Sequence, residues 1–541
     1  MSLFNFINSK LVREWGGLVL ALYGLNFALT FHNVWPTLGI TTRHELSVEI
    51  AVLILVLMIY SRLKLSVSSR TITILAVVLT VLTIARYLEV TAVALYGRHI
   101  NLYWDAQHLP HVIAMLSEVT NSLTVILLIS VLMLALYIIF FAFRHALARI
   151  ITSSLDIWQY RIVIIIMSVL IFVYMVGHTN SPFQTKRFYS LPITETYWQQ
   201  AKFILKVLND KAGDTLPATK PLGNFDLPQV DNVDVIIQFV ESYGAIAFDN
   251  PAVSQVIAPV HEKLITTIEE KGRYVVSAFV ESPTFGGNSW LAHSSFMTGL
   301  EIKHTAIYDL LLTQDRETLA TRFSALGYRP IALMPGLRSE WPEGSFYGYE
   351  SIYGAREINY NGPEFGWWRV PDQFALARIT NIEMSNVPRR PLFLFFTTIS
   401  SHMPFRPTPP YQPDWTRILS EKPFDDEAIS KSLSTLPEWM NMQPAYAGSL
   451  AYTFTYLDGF LRAHQGKDYV WIVIGDHQPP ANVSGQGVRW DTPVHVISRN
   501  FEIIKALKQH GFKEGMTPKN KSIGTMHDLP VMLLSAFSKK L

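Results

Sequence analysis

The sequence predicts a five-helix N-terminal transmembrane domain followed by an α/β domain with a mostly parallel sheet. Three observations predict this fold class. The 541-residue chain is 49% hydrophobic and 16% charged, which is too apolar for an ordinary soluble protein. The apolar runs long enough to span a bilayer all lie before residue 180. After about residue 226, short apolar strands alternate with helical patterns, as they do in α/β proteins.

Five runs reach the length of about 20 residues that a bilayer requires. They are residues 15–34, 46–64, 71–93, 112–142 and 161–178. The first is not expected to be a cleavable signal peptide, because further spans follow it and no convincing cleavage site ends it. Residues 179–225 have the composition of a juxtamembrane linker. The predicted domains are therefore residues 1–178, 179–225 and 226–541.

Lysine and arginine in the short loops predict the orientation of these spans. Basic residues concentrate at the N-terminus and in the second and fourth loops: Lys10, Arg13, Arg62, Lys64, Arg70, Arg144, Arg149 and Arg161. The first and third loops carry only Arg43 and Arg98. We therefore expect a multi-pass protein of the inner (cytoplasmic) membrane, with a cytoplasmic N-terminus and a periplasmic or extracellular C-terminal domain.

Three charged residues lie at or near membrane depth: Arg86 and Glu89 in the third span, and Glu118 early in the fourth. Charged groups there are costly and are usually paired or functional. One interpretation is a functional site that binds a lipid headgroup or a docking domain. The other is an interfacial Arg–Glu pair whose charged ends reach water.

Composition also limits the partners and the chemistry. The net charge is +2, and no basic tract alternates with aromatic residues, which argues against nucleic-acid binding. Because cysteine is absent, thiolate ligands, a cysteine nucleophile and disulfides are excluded. An exported domain above roughly 300 residues can rely on its hydrophobic core instead.

Candidate chemistry follows the predicted strands of the outer domain. The predicted strands are residues 234–240, 273–280, 329–334, 392–398, 469–474 and 493–497, and the predicted helices include 252–271, 289–298, 315–326, 371–380, 445–464 and 526–535. Glu241 ends the first strand, and Asp476 and His477 end the fifth. Ligands of open α/β sheets bind outside the carboxyl ends of the strands. The three side chains are either metal ligands or parts of ordinary strand-end turns, and their oxygen and nitrogen atoms suit Zn²⁺ or Mn²⁺.

Ser289 follows a Gly286-Gly287-Asn288 turn, at a predicted helix start whose free N–H groups suit an anionic oxygen. A metal-bound serine hydroxyl loses its proton more readily and becomes a nucleophile. The alternative is that Ser289 is simply the helix N-cap.

Two histidines are further candidates for catalysis. His402 follows the strand predicted at 392–398 and is either an acid–base or phosphate-binding group or a turn histidine. His293 lies one helical turn after Ser289, where contact with a transferred group and core packing are equally expected.

Together these motifs resemble the membrane-anchored phosphotransferases of the alkaline phosphatase superfamily, which are sulfatase-like in fold. The most similar types are the lipoteichoic acid synthases and the phosphoglycerol and phosphoethanolamine transferases. The matching elements are Glu241-Ser242, Ser289 in the place of the nucleophile, Phe296-Met297-Thr298-Gly299, Trp368 to Asp372, Ser400 to Phe405, and Asp476-His477. The nucleophile is serine where this branch usually has threonine. The absence of proline and arginine after Ser289 argues against a formylglycine sulfatase.

The resemblance implies transfer of phosphoethanolamine or phosphoglycerol from a membrane phospholipid to a glycan or glycolipid of the cell envelope. Metal-activated Ser289 would form a covalent phosphoserine, with Glu241, Ser289, Asp476 and His477 at the metal. Two alternatives remain open: a catalytically inactive lipid- or glycan-binding sensor, and a phosphodiesterase or sulfatase-type hydrolase. The aromatic stretch around Tyr347 and Tyr349 is either a surface for a glycan acceptor or a loop of packed aromatic side chains.

Overall fold

The computed structural model describes residues 2–34, 39–42, 44–63, 67–96, 100, 102, 122–179, 188–209, 216, 222–338, 341–366, 370–385, 388–435, 438, 441–485, 487–519 and 521–538. The chain divides into two compact units. The first comprises Met1–Ala94 and His99–Ala212, and the second comprises Leu95–Arg98 and Gly213–Leu541. The division after residue 212 falls inside the predicted linker.

The first unit is helical. Its helices are α1 (Ser2–Thr30), α2 (Val48–Arg62), α3 (Ser69–Tyr96), α4 (Ser122–Ser153), α5 (Ile157–Thr179) and α6 (Ile193–Asn209), with a short antiparallel pair of strands, β1 (His32–Asn33) and β2 (Ile40–Thr41). Among the described residues, three helical segments are long and apolar enough to cross a membrane: Ser69–Ala92, Leu123–Ser153 and Ile157–Val176. Helices also cover most of the first two predicted spans, but α2 has only 15 residues. The count of five spans therefore stays a prediction.

Helix α4 differs from the predicted fourth span. The prediction placed Arg144 and Arg149 in a loop, whereas the structure places both inside α4. Apolar side chains in the middle of α4 are largely exposed, including Leu127 at 62% and Met133 at 62%. Such a surface is suited to contact with lipid, because a helix that is apolar on all sides is buried in a protein core or in a membrane.

Arg86 and Glu89 are both buried in the first unit. The Nε–H of Arg86 donates a hydrogen bond to the carbonyl oxygen of Phe31 at 3.0 Å. The neighbouring His32 lies 2.8 Å from a carboxylate oxygen of Glu45. Arg86 is thus held by the chain segment that follows α1, while Glu118 lies outside the described residues.

The second unit contains an eight-stranded sheet. Its strands are β3 (Asp234–Val240), β4 (Tyr274–Glu281), β5 (Arg329–Leu333), β6 (Ser351–Tyr353), β7 (Leu392–Thr397), β8 (Tyr469–Gly475), β9 (Asp491–Ser498) and β10 (Lys513–Glu514), in the order β10-β4-β9-β8-β3-β7-β5-β6. Strands β8, β3, β7, β5 and β6 run parallel, and the pairs β8–β9, β9–β4 and β4–β10 are antiparallel. The predicted α/β domain with a mostly parallel sheet is confirmed.

Helices cover both faces of this sheet. They are α7 (Ile246–Asp249), α8 (Pro251–Glu270), α9 (Ser289–Thr298), α10 (Thr305–Leu312), α11 (Leu319–Ala325), α12 (Gly344–Tyr347), α13 (Ala355–Ile358), α14 (Asp372–Glu383), α15 (Asp426–Leu433), α16 (Gln443–Ala463), α17 (Ala481–Ser484), α18 (Phe501–Gln509) and α19 (Leu529–Ser538). Side chains of β3 alternate between two cores. Ile236 packs with α8 and α16, whereas Val235 and Ile237 pack with α9, α18 and α19. Burial on both faces explains why β3 is a continuous apolar run.

One buried histidine makes the stability of this unit depend on pH. His261 in α8 is 6% exposed, and its ring lies 4.3 Å from that of Phe454. Its Nε2 has no hydrogen-bond partner among the described residues. Burial lowers the pKa of His261 to about 3. The neutral His261 side chain therefore makes its full contribution to the free energy of unfolding above pH 6.5. This contribution is lost as the pH falls toward 3, at about 1.4 kcal/mol per pH unit.

We expect His261→Phe to reduce this loss. The phenyl ring fills similar space beside Phe454 and takes up no proton. Between pH 6.5 and pH 4.5 the free energy of unfolding should fall by about 2–3 kcal/mol less in the variant than in the wild type. Urea unfolding followed by tryptophan fluorescence at several pH values measures the difference. Identical pH dependence in the two proteins would contradict the expectation.

Candidate metal centre and nucleophile

The candidate site lies at the carboxyl ends of two adjacent parallel strands. Strand β3 leads into Glu241, and β8 leads into Asp476 and His477, with Val240 paired to Gly475 at the strand ends. A Cβ atom on Gly475 would lie 1.7 Å from the carbonyl oxygen of Tyr243. Glycine therefore lets the two strand-end turns approach each other, and this approach brings three ligand-type side chains together.

Glu241, Asp476 and His477 form a compact oxygen and nitrogen set. One potential ligand atom from each lies within 4.8 Å of the others. His477 Nε2 lies 3.5 Å from a carboxylate oxygen of Glu241 and 3.5 Å from one of Asp476. Asp476 Oδ2 is buried and has no hydrogen-bond partner among the described residues. A buried carboxylate oxygen without a partner is costly, so these residues fit a divalent cation.

Backbone groups orient two of the three side chains, those of Asp476 and His477. Asp476 Oδ1 accepts hydrogen bonds from the backbone N–H groups of Ser242 at 2.8 Å and His477 at 2.7 Å. His477 Nδ1 lies 2.7 Å from the carbonyl oxygen of Gln478. Because a carbonyl oxygen only accepts, Nδ1 carries the proton and Nε2 presents its lone pair to the centre. This is the tautomer that a metal-ligating histidine usually has.

The electrostatics of the site are dominated by its carboxylates. Burial, together with the nearby Glu241, raises the pKa of Asp476 to about 6. Burial alone would lower the pKa of His477, but the charges of Asp476 and Glu241 outweigh it and the pKa is raised. Burial and the neighbouring carboxylate both disfavour the charged form of Asp476, and a bound cation would offset both effects.

Ser289 lies directly beside this set. Its Oγ donates to Glu241 Oε2 at 3.1 Å and is also 3.1 Å from His477 Nε2. Gly286, Gly287 and Asn288 all have positive φ values, of 68°, 145° and 61°. This turn starts α9 at Ser289. The N-cap alternative for Ser289 is wrong, because Asn288 occupies the cap position and Ser289 is the first helical residue.

The loop after β7 is bonded to the backbone of Glu241. Thr398 Oγ1 accepts from the N–H of Glu241 at 3.1 Å, and Ser401 Oγ donates to its carbonyl oxygen at 2.6 Å. Asp372, the first residue of α14, accepts from the N–H groups of Ile399 at 2.8 Å and Ser400 at 2.9 Å. Burial raises the pKa of Asp372 to about 6, although these hydrogen bonds oppose the shift.

His402 lies in this same loop. Its Nδ1 is 2.7 Å from the carbonyl oxygen of Met403 and therefore donates to it. Burial lowers the pKa of His402, and the charges of His477 and Asp476 are near enough to influence it. The ring is thus predominantly neutral at pH 7, with its proton on Nδ1.

His293 faces the aromatic core. Its ring centroid lies 4.5 Å from that of Phe239 and 5.6 Å from that of Phe395. Burial lowers the pKa of His293 to about 4. Its Nε2 has no hydrogen-bond partner in the described part of the chain. These contacts favour the packing interpretation over contact with a transferred group.

The aromatic stretch that could have formed a glycan surface is largely packed. Tyr347 is 3% exposed and stacks on Trp341 at 5.4 Å and on Tyr349 at 5.9 Å. Its hydroxyl lies 2.7 Å from Ser294 Oγ in α9. Tyr347 therefore supports the helix that carries Ser289. Trp368 and Arg369 of the Trp368–Asp372 element lie outside the described residues.

The sequence did not reveal the hydroxyl groups that support the ligands. Thr398 and Ser401 hold Glu241, and Ser282 Oγ donates to the carbonyl oxygen of Asp476 at 2.6 Å. Serine and threonine are common in turns, so no spacing distinguished these three from their neighbours. Ser401 lies within the Ser400–Phe405 motif and Thr398 lies two residues before it, which was the one available signal.

Comparison with known families agrees with the fold. Residues 274–521 match the family model described as Sulfatase. These residues of the second unit are therefore similar to the Sulfatase family, and the predicted sulfatase-like resemblance is confirmed. A search of curated proteins finds no match.

Three solved structures illustrate the similar proteins. The lipoteichoic acid synthase LtaP from Listeria monocytogenes is 12% identical over 62% of this chain and 78% of that chain, with a TM-score of 0.37. The phosphoglycerol transferase GacH from Streptococcus pyogenes, in complex with sn-glycerol-1-phosphate, is 14% identical over 60% and 85%, with a TM-score of 0.37. The integral membrane lipooligosaccharide phosphoethanolamine transferase A from Neisseria meningitidis is 13% identical over 91% and 89%, with a TM-score of 0.44.

Proposed function

We propose that this protein transfers a phospho-headgroup from a membrane phospholipid to a glycan or glycolipid of the cell envelope, through a covalent phosphoserine on Ser289. The observation that carries the proposal is the position of Ser289 Oγ, 3.1 Å from both Glu241 Oε2 and His477 Nε2. A serine hydroxyl at a set of metal-ligand side chains is the arrangement that an activated nucleophile needs.

The first step breaks the bond between phosphorus and the diacylglycerol oxygen. Ser289 Oγ forms a new bond to phosphorus, and its proton passes, through the groups around it, to the departing diacylglycerol. Glu241 Oε2 accepts the hydrogen bond of Ser289 and thereby aims the oxygen lone pair at the phosphorus atom. Glu241, Asp476 and His477, with Ser289, would hold Zn²⁺ or Mn²⁺, which supplies stabilisation of the negative charge that develops on oxygen.

The second step returns Ser289 to its free form. A hydroxyl group of the acceptor attacks the phosphoserine, a bond between phosphorus and the acceptor oxygen forms, and the bond to Ser289 Oγ breaks. The neutral His402, protonated on Nδ1, can accept the acceptor's proton on Nε2. As Ser289 Oγ leaves, it takes up one proton, and His402 gives up the proton that it accepted, so both groups return to their starting forms. We assign His293 to supporting α9 rather than to contact with the transferred group.

The proposal places the second unit outside the cytoplasm. Five spans with a cytoplasmic N-terminus would bring residues 226–541 to the outer face of the inner membrane, where a phospholipid donor and an envelope acceptor are both accessible. The distribution of lysine and arginine supports this topology.

Mass spectrometry of peptides from the treated protein tests the covalent step. The metal-loaded protein is incubated with bilayers of phosphatidylglycerol or phosphatidylethanolamine, digested and searched for a modified Ser289 peptide. We expect an adduct on Ser289 whose mass identifies the headgroup. Bound metal and lipid turnover without an adduct would favour the hydrolase. A protein with neither metal nor adduct would favour the sensor.

A further inference from the structure

The turn between β3 and α7 contains a residue with a strained backbone, Ser242. Its φ is 58°, in the left-handed region that is unfavourable for most residues with a Cβ atom. The residue is 2% exposed and directly follows Glu241 of the candidate metal set. Residues in such conformations cluster at functional sites, where the surrounding structure holds them in place.

Three hydrogen bonds hold the backbone of Ser242 in this conformation. Its N–H donates to Asp476 Oδ1 at 2.8 Å. Its carbonyl oxygen accepts from the hydroxyl of Tyr446 at 2.8 Å and from the N–H of Gly244 at 3.1 Å. Tyr446 lies in α16 and is fully buried. These contacts offset the strain and fix the direction in which the side chain of Ser242 points.

The hydroxyl of Ser242 points to the carboxylate of Glu241. It donates to Glu241 Oε1 at 3.0 Å, whereas Ser289 donates to the other oxygen, Oε2, at 3.1 Å. In the part of the chain that the structure describes, these two hydroxyls are the hydrogen-bond donors to this carboxylate. One donor on each oxygen restricts the rotation of the carboxylate group.

The proposed reaction removes one of these two donors. Once Ser289 Oγ is bonded to phosphorus, it has no proton to donate to Glu241. The hydroxyl of Ser242 is then the described donor that remains on the carboxylate. Ser242 is therefore the group that can keep Glu241 aligned between the first step and the second.

We propose that Ser242 is a positioning residue, whose hydroxyl orients Glu241 for the divalent cation throughout the reaction. This inference rests on the proposed metal-assisted transfer. Groups that hydrogen-bond to the ligands of a metal typically contribute about 10–100-fold to its affinity. The strained backbone of Ser242 is the conformation that brings this hydroxyl to Glu241 Oε1.

Substitutions of Ser242 separate the effect of the hydroxyl from that of the backbone. The affinity of the full-length protein for Zn²⁺ and Mn²⁺ is measured by chelator competition. Ser242→Ala and Ser242→Gly both remove the hydroxyl, and both should bind the cation about 10–100-fold more weakly than the wild type. Ser242→Thr keeps the hydroxyl and should bind it within a few-fold of the wild type.

The stability of the metal-free variants should not follow their metal affinity. Glycine adopts a φ of 58° without strain, so Ser242→Gly should unfold about 1–3 °C above Ser242→Ala. Threonine is β-branched and tolerates this conformation poorly, so Ser242→Thr should unfold at a lower temperature than the wild type. Tryptophan fluorescence during heating measures the midpoints. A merely structural role of Ser242 would instead make metal affinity rise and fall with stability.

Asn232 provides a matched control. Its φ is also 58°, and it lies before β3, at the opposite end of the strand that leads into Glu241. Asn232→Gly should unfold at a higher temperature than Asn232→Ala, as at Ser242, because the backbone change is the same. Both Asn232 variants should bind the cation with wild-type affinity.

The outcomes separate this inference from the proposed function. Wild-type metal affinity in Ser242→Ala would refute the role of the hydroxyl and leave covalent transfer intact. Recovered affinity in Ser242→Gly, or lost affinity in Ser242→Thr, would refute it as well, because affinity would then follow the backbone. Weakened binding in Ser242→Ala, with no Ser289 adduct in the wild type, would support the role of Ser242 and count against the transfer. A wild type that binds neither cation would overturn both proposals.

Discussion

Ser289→Ala is expected to abolish the covalent adduct and to reduce headgroup transfer by at least about a thousandfold. Removing a nucleophile typically costs an enzyme several orders of magnitude in kcat. The hydroxyl of Ser289 is the group that both Glu241 Oε2 and His477 Nε2 contact at 3.1 Å. Transfer of labelled headgroup in reconstituted vesicles measures the loss, and mass spectrometry measures the adduct.

The controls for this prediction separate chemistry from folding. Alanine is compatible with the first position of α9, and Glu241, Asp476 and His477 remain in place, so metal affinity should change only a few-fold. Ser289→Thr keeps the hydroxyl and should retain measurable transfer. Retained transfer by Ser289→Ala would refute the phosphoserine scheme. Full loss in Ser289→Thr, with metal still bound, would show that the turn before α9 does not tolerate the added methyl group.

The elements that the sequence predicted best are those whose signal is local. Strands β3 and β8 are unbroken apolar runs that end in Glu241 and in Gly475, so their ends and the following side chains could be predicted together. The start of α9 at Ser289 could be predicted from the two glycines before it. By contrast, β6 and β10 have three and two residues, which is too short for periodicity to indicate a strand.

The parts that could not be predicted depend on contacts distant in sequence. Thr398 and Ser401 bond to Glu241 across more than 150 residues. Asp372 holds the loop of His402 only because α14 begins beneath it. The hydropathy pattern also wrongly predicted that Arg144 and Arg149 lie in a loop. An apolar run shows which part of a helix is apolar, but it does not show where the helix ends. The basic turns of α4 continue the helix past the apolar part.

The second large effect is expected from Asp476→Asn, which alters one atom of the proposed metal set. The amide oxygen can replace Oδ1, which accepts from the N–H groups of Ser242 and His477. The amide nitrogen would replace Oδ2, the buried oxygen that has no hydrogen-bond partner among the described residues. An –NH₂ group donates and cannot ligate a cation. We expect metal affinity to fall by at least about 100-fold, with adduct formation falling alongside it, as measured by chelator competition.

The stability of the metal-free protein distinguishes a ligand from a merely structural carboxylate. Burial raises the pKa of Asp476 to about 6, so keeping it ionised at pH 7.5 destabilises the metal-free fold. Metal-free Asp476→Asn should therefore be at least as stable as the metal-free wild type, and added Zn²⁺ or Mn²⁺ should stabilise only the wild type. Asp372→Asn is the matched control, because that carboxyl group is also buried with a pKa of about 6 but holds only loop N–H groups. Its metal affinity should stay within a few-fold of the wild type. If Asp476→Asn instead destabilised the metal-free protein and left metal affinity unchanged, Asp476 would be a structural group and the cation would need other ligands.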